Sequence, residues 1–236
     1  MLHGQEAAPD GPVDLTPMWL MHHALRRDLA NFSAAVRATP VSDRRTWQSL
    51  HQRWQQFAKI LHHHHSGEDA YIWPMLLKRV DDAGDAEGRA TLDAMTAEHA
   101  VIDPLLEGCE AGFARVAERP DEQARALLSE QLSRAGETLG QHLGHEERDA
   151  MALVQRYLSP ADWHLLDKQV GAGYPAREVP FTLGWVMYGL RGEARQRALG
   201  FLGKVPSLMW SVLLRSRFER SEEHTFRYAG AQTFGR

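Results

Sequence analysis

The chain has little of several things a protein can be built around. It has one cysteine, Cys109, among 236 residues, so an internal disulfide is excluded and a reducing compartment is expected. No apolar run approaches the roughly 18 residues that a membrane-spanning helix needs; the longest, 181–190 and 208–214, are too short. Neither sign of charge dominates. The formal net charge is −4 and the pI near 6.3, which gives no long-range attraction to nucleic acid or to a membrane, although the C-terminal stretch is locally basic. Residues 1–13 are polar, with Gly and Pro but no basic start or apolar core, so they read as a disordered N-terminus and not a leader. A cytoplasmic address is expected.

Strand alternation bounded by hairpin turns is missing as well, whereas helical periodicity is plain. The first helix is expected over 16–38, entered by Thr16 as N-cap and Pro17, with Met18, Met21, Leu25, Leu29 and Phe32 on one face. The second runs from Ser42 to about Val80, with Trp47, Leu50, Trp54, Phe57, Ile60 and Leu61 at spacings of three and four and a kink at Pro74. A third covers 86–117 with a bend at Pro104, and a fourth covers 120–157. Four long helices with short connections argue for an all-α, antiparallel four-helix bundle over 14–158. After Ser159-Pro160 the texture changes to shorter apolar helices near 161–170, 182–190, 193–202 and 206–218, a C-terminal helical extension over 159–236.

What the chain has in excess is histidine, thirteen in all. The second helix carries His64-His65-Ser66-Gly67-Glu68 and the fourth His142-Leu143-Gly144-His145-Glu146. In each, a His and a Glu four residues apart leave the same helix face and can reach one metal centre. The first and third helices add His22 and His99 within apolar stripes. Burying such groups without partners costs several kcal/mol per ion, and a bound cation removes that cost. Imidazole plus carboxylate without thiolate suits iron or manganese better than structural zinc. Ferritin-like sites use Glu-x-x-His; here order and spacing are reversed.

These residues carry a family resemblance. His22-x-x-Leu25-Arg26-Arg27, His64-His65-Ser66-Gly67-Glu68-Asp69 followed by Trp73-Pro74, Glu98-His99, and His142-x-x-x-Glu146-Glu147 occur one per helix and in order, and the chain resembles the hemerythrin, or HHE cation-binding, family. The resemblance implies a four-helix bundle holding two Fe ions, carboxylate- and oxo- or hydroxo-bridged, with Mn as the alternative metal. It further implies contact with dioxygen, peroxide or nitric oxide, and the ligand set His22, His64, Glu68, His99, His142 and Glu146. The oxygen-carrying members have a further histidine one turn after the third-helix ligand, where this chain has Asp103. That departure points away from reversible oxygen carriage and leaves two readings, Asp103 as a ligand or an open position.

The neighbours are read more plainly. His22 is preferred over His23 because it shares the stripe of Leu25 and Leu29. His62, His63 and His65 are expected at the surface, Glu147 and Asp69 pointing away, Arg26, Arg27 and Asp28 on a solvated rim, Cys109 in the core, and Glu222 in a polar tail. The arginines beside the apolar C-terminal helices suggest a bundle cap, or a face for a homodimer or partner protein, ahead of membrane docking. Three functions remain: peroxide, oxygen or nitric oxide chemistry of catalase-like kind; a non-enzymatic iron or gas sensor; and a purely structural metal.

Overall fold

A computed structural model describes residues 5–6, 10–173 and 175–230. Among the described residues the regular elements are all helices, with no strand: α1 (Thr16–Ala38), α2 (Arg44–Gly67), α3 (Trp73–Asp82), α4 (Ala86–Glu118), α5 (Glu122–His145), α6 (Met151–Tyr157), α7 (Pro160–Ala172), α8 (Val179–Met187), α9 (Gly192–Leu202), α10 (Lys204–Met209) and α11 (Arg215–Thr225). Two expected long helices are each interrupted by one π-helical turn, Glu68–Ile72 between α2 and α3 and Glu146–Ala150 between α5 and α6. Pro74 has no N–H to donate to the carbonyl four residues back, and the first wide turn lies directly before it, so the expected kink takes the form of a π bulge. Pro104 is accommodated inside α4.

The helix starts follow local chemistry. The side chains of Asp43, Asp85 and Asp121 accept the backbone N–H of Thr46, Gly88 and Ala124, capping α2, α4 and α5. Ser159 and Asp162 form a complete capping box on α7. The start of α1 differs from expectation. Leu15 holds the cap position and Thr16 is already helical, because Asp14 Oδ1 accepts the Thr16 N–H from outside.

Two apolar cores form. One contains Leu25, Phe32, Trp54, Phe57, Leu61, Ile102, Phe113 and Leu139; the other contains Met18, Ile72, Trp73, Leu76, Met95, Ala150 and Met151. Their order alternates. Along α1 and α4 the chain leaves the second core for the first, and along α2 and α5 it runs the other way.

The C-terminal helices are not loosely attached. Arg27, Asp28, Arg53 and Glu222, the first two expected on a solvated rim and the last in a polar tail, are all buried. Asp28 Oδ2 accepts from Arg53 and from the Trp185 indole N–H (2.7 Å). Arg27 donates to the Trp185 and Tyr188 carbonyls (2.9 and 2.6 Å), and Arg53 Nε donates to Glu222 Oε1 at 2.9 Å. This network joins α1 and α2 to α8 and α11. The described part of 1–13 is also held: the Glu6 N–H donates to Glu147 (2.8 Å), the Val13 N–H donates to Gln155 (2.9 Å), and Val13 is buried. Residues 1–4 and 7–9 lie outside the described residues.

Candidate metal centre

Between the two apolar cores lies a polar layer. On α1, His22 falls between Met18 and Leu25; on α2, His64 follows Leu61 and Glu68 precedes Ile72; on α4, His99 falls between Met95 and Ile102; on α5, His142 follows Leu139 and Glu146 precedes Ala150. All six are buried. His22, His64, Glu68 and Glu146 form one group, each with a ligating atom within 4.8 Å of the others'. His99 and His142 form a second group with a residue not expected there, His65.

The carboxylates connect the two groups. Glu68 Oε1 lies 3.1 Å from His64 Nε2 while its Oε2 lies 3.5 Å from His99 Nε2. Glu146 Oε2 is 3.1 Å from His22 Nε2 and 3.9 Å from His142 Nε2. His65 stacks on His99 with ring centroids 4.0 Å apart and planes at 8°, and it meets His142 edge-on at 5.2 Å. His65 is buried, against the surface position expected of it. Its signal was present: buried positions 57, 60, 61, 64, 65 and 68 of α2 and the turn after it follow one helical stripe.

A second set of acids steers the rings. Glu147 and Asp69, expected to point away, instead accept from the distal nitrogens of ligand candidates: His22 Nδ1 donates to Glu147 Oε1 at 2.9 Å and His99 Nδ1 to Asp69 Oδ2 at 3.0 Å. Glu98 receives both His142 Nδ1 and His145 Nδ1 at 2.8 Å. Arg26, expected in solvent, grips both oxygens of Glu147. The contacts to His22, His99 and His142 each fix a ring and leave its Nε2 turned into the layer, the usual arrangement behind a metal-ligating histidine. His23 is buried but belongs to neither group. Asp103 is half-exposed, 3.9 Å from the exposed His62, and likewise belongs to neither.

The electrostatics are unbalanced. Burial pushes the His22 pKa down, but the charges of Glu146 and Glu147 outweigh it and lift it to about 9. The same His22 charge holds the Glu146 carboxyl below its usual range despite burial. Burial and the Glu146 and Asp69 charges drive Glu68 well above it. Burial takes His64 to about 3 and also lowers His65 and His99, leaving them neutral, the form that binds metal. His23 falls to about 4, through burial and then Arg27 and Arg26.

Many atoms of the layer find no hydrogen-bond partner: both oxygens of Glu68 and of Glu146, both nitrogens of His65, and Nε2 of His99 and of His142. Buried polar atoms are almost always satisfied, so this concentration marks a place built for something that accepts lone pairs. A cavity of about 780 Å³ lies elsewhere, between α1 and the C-terminal helices, and none of the seven side chains lines it.

A family model described as the Hemerythrin HHE cation binding domain matches residues 14–154. No curated relative and no solved structure matches the chain.

Proposed function

Because the chain belongs to the hemerythrin HHE cation-binding family, we propose that it is a non-haem di-iron protein whose antiparallel four-helix bundle holds two ions through His22, His64, Glu68, His99, His142 and Glu146, with His65 as a seventh ligand. The observation that carries this reading is the layer of partnerless buried carboxylate and imidazole atoms between two apolar cores. Two cations would take up the carboxylate charge and the imidazole lone pairs together, offsetting the cost of burying them. Glu68 and Glu146, each reaching toward both histidine groups, are the bridges.

When bound, the ions supply Lewis acidity and redox capacity toward hydrogen peroxide, dioxygen or nitric oxide. The protein's part is positional. Asp69, Glu98 and Glu147 fix the imidazole planes, Arg26 fixes Glu147, and the two cores keep bulk water out. A cytoplasmic role in oxidative or nitrosative stress fits this chemistry, with a catalase-like cycle as its enzymatic form. Iron-loaded protein is expected to evolve oxygen from peroxide, and Glu68→Ala and Glu146→Ala are each expected to lower bound iron below two per chain. Full iron occupancy in both variants would falsify the bridging assignment. Loaded protein inert to peroxide, dioxygen and nitric oxide defeats the reactive reading.

One observation favours a second reading, a non-enzymatic sensor. Arg27 and Asp28 lie on α1 little more than a turn beyond His22; they hold α8 through Trp185 and, by way of Arg53 and Glu222, connect to α11, so a shift of α1 on metal or gas binding reaches the C-terminal helices. Metal-dependent change in protease cleavage within 179–225, without peroxide turnover, distinguishes it.

A further inference from the structure

Phe201, Val205, Leu208, Val212 and Leu213 are all exposed and fall within one short stretch. From Lys204 to Thr225, α10, a π turn over Trp210–Leu214 and α11 follow one another without a break. The inner side of this rod is committed to the protein, since Trp210, Phe218 and Glu222 are buried and the Phe218 ring packs against Phe181 and Tyr188 at centroid distances of 5.5 and 5.7 Å. Its outer side carries Val205, Leu208 and Val212 at helical spacing, and they are 79%, 65% and 69% exposed. The solvent face of a surface helix is ordinarily polar. This one is not.

The charges between Glu193 and Glu219 are of one sign. Residues 194–218 contain five basic residues and no acidic one, in a chain whose net charge is −4. Lys204 adjoins Val205 at one end, and Arg215 and Arg217 follow Leu213 at the other; Arg197 lies one turn before Phe201 on α9. Arg215 is paired with Glu219 at 2.9 Å. An apolar helical face flanked by exposed Lys and Arg is the composition that settles at the boundary between lipid headgroups and acyl chains. No described helix is long and apolar enough to cross a bilayer, so the rod would lie in the surface.

We propose that the C-terminal rod docks this protein on an anionic lipid bilayer, its Val205, Leu208, Val212 and Leu213 side chains entering the headgroup boundary and its Lys and Arg residues pairing with lipid phosphates. A second copy of the chain is the poorer occupant. A two-fold contact through this face sets the same basic residues against themselves. Nucleic acid would meet the charge but leave the apolar side chains in water.

The test is co-sedimentation of the full-length, iron-loaded protein with vesicles of phosphatidylcholine alone or mixed with phosphatidylglycerol. Binding to the mixed vesicles is expected, weakened by high salt. Leu208→Asp combined with Val212→Asp is expected to lower the bound fraction about tenfold or more, with far-ultraviolet circular dichroism and iron content unchanged. Lys204→Glu with Arg217→Glu, at two exposed positions, is expected to abolish the preference for anionic vesicles, so the proposal stays testable if the first pair misfolds. Absence of wild-type binding, equal binding to both vesicle types, or undiminished binding by both variants overturns it. A dimer in sedimentation velocity that the Asp pair dissolves, with no vesicle binding, assigns the face to a second copy instead.

Discussion

Two clusters of buried charge share α1 and α2 and are solved in opposite ways. In the Arg27–Asp28–Arg53–Glu222 cluster the protein closes the circuit itself: Asp28 accepts from two arginines and an indole, and the arginines spend their remaining donors on Trp185, Tyr188 and Glu222. Burial acts to lower the Arg53 pKa, but Asp28 and Glu222 outweigh it and keep the guanidinium firmly charged. Only Arg53 Nη1 and Glu222 Oε2 are left without partners. In the His/Glu layer the inner atoms are left over, while the outer nitrogens of His22, His99 and His142 are bonded with care. A buried network that completes itself holds elements together; one complete only at its rim is arranged to take up a cation.

That contrast can be broken by experiment. The largest effect is expected from Arg53→Met, which strands Asp28 and Glu222 in the interior. Loss of one partner of a buried pair costs about 3–5 kcal/mol, read as a fall in the urea midpoint in metal-loaded and metal-free protein alike. Chelation should do the reverse, leaving the Arg/Asp network intact and removing only stabilisation by bound metal, about 2.7 kcal/mol at a metal concentration a hundredfold above Kd. Equal melting before and after chelation breaks the comparison. Asp69→Asn and Glu147→Gln are expected to weaken metal affinity about tenfold to a hundredfold in competition with a chromophoric chelator, with little change in metal-free stability for Asp69→Asn. The smallest effect belongs to a cap outside both clusters. Asp43→Ala should cost about 1 kcal/mol. The Asp43 carboxyl is lowered from its ordinary value near 3.8 to about 2, held there by Thr46, Tyr228 and Arg227 against burial. Its contribution is therefore present above pH 4 and lost as pH falls through 2, and the wild-type and variant melting curves should converge in acid.

Much of this was legible in the sequence. The four long helical patterns, the helix start at Ser159-Pro160, and the convergence of His22, His64, Glu68, His99, His142 and Glu146 on one layer follow from periodicity and residue type, whereas the second helix, expected from Ser42, is capped by Asp43. The resemblance drawn from four short motifs agrees with the family match over 14–154. His65 was readable too, because it continues the stripe of Phe57 and Leu61, but a run of adjacent histidines looks like surface. Glu147 and Asp69 were misplaced because an ideal α-helix turns residue i+5 away from residue i; here each follows a Glu that opens a π turn, and the widened turn brings it to a ring nitrogen on another helix. The Arg27–Trp185 and Arg53–Glu222 contacts span more than 150 residues. No local spacing encodes a contact at that separation, so charged residues on a helix read as solvated.

Every member of the His/Glu layer is nearly or wholly shut off from solvent, and packed interiors leave few voids larger than a water molecule. Size therefore screens visitors ahead of any chemistry: a molecule of two heavy atoms is of the scale such packing admits, and a bulky reductant is not. If the layer holds the redox-active ions proposed above, electrons reach them only across a shell of leucine, tryptophan and methionine, and a redox partner is then chosen by the outside of the bundle, not by the histidines.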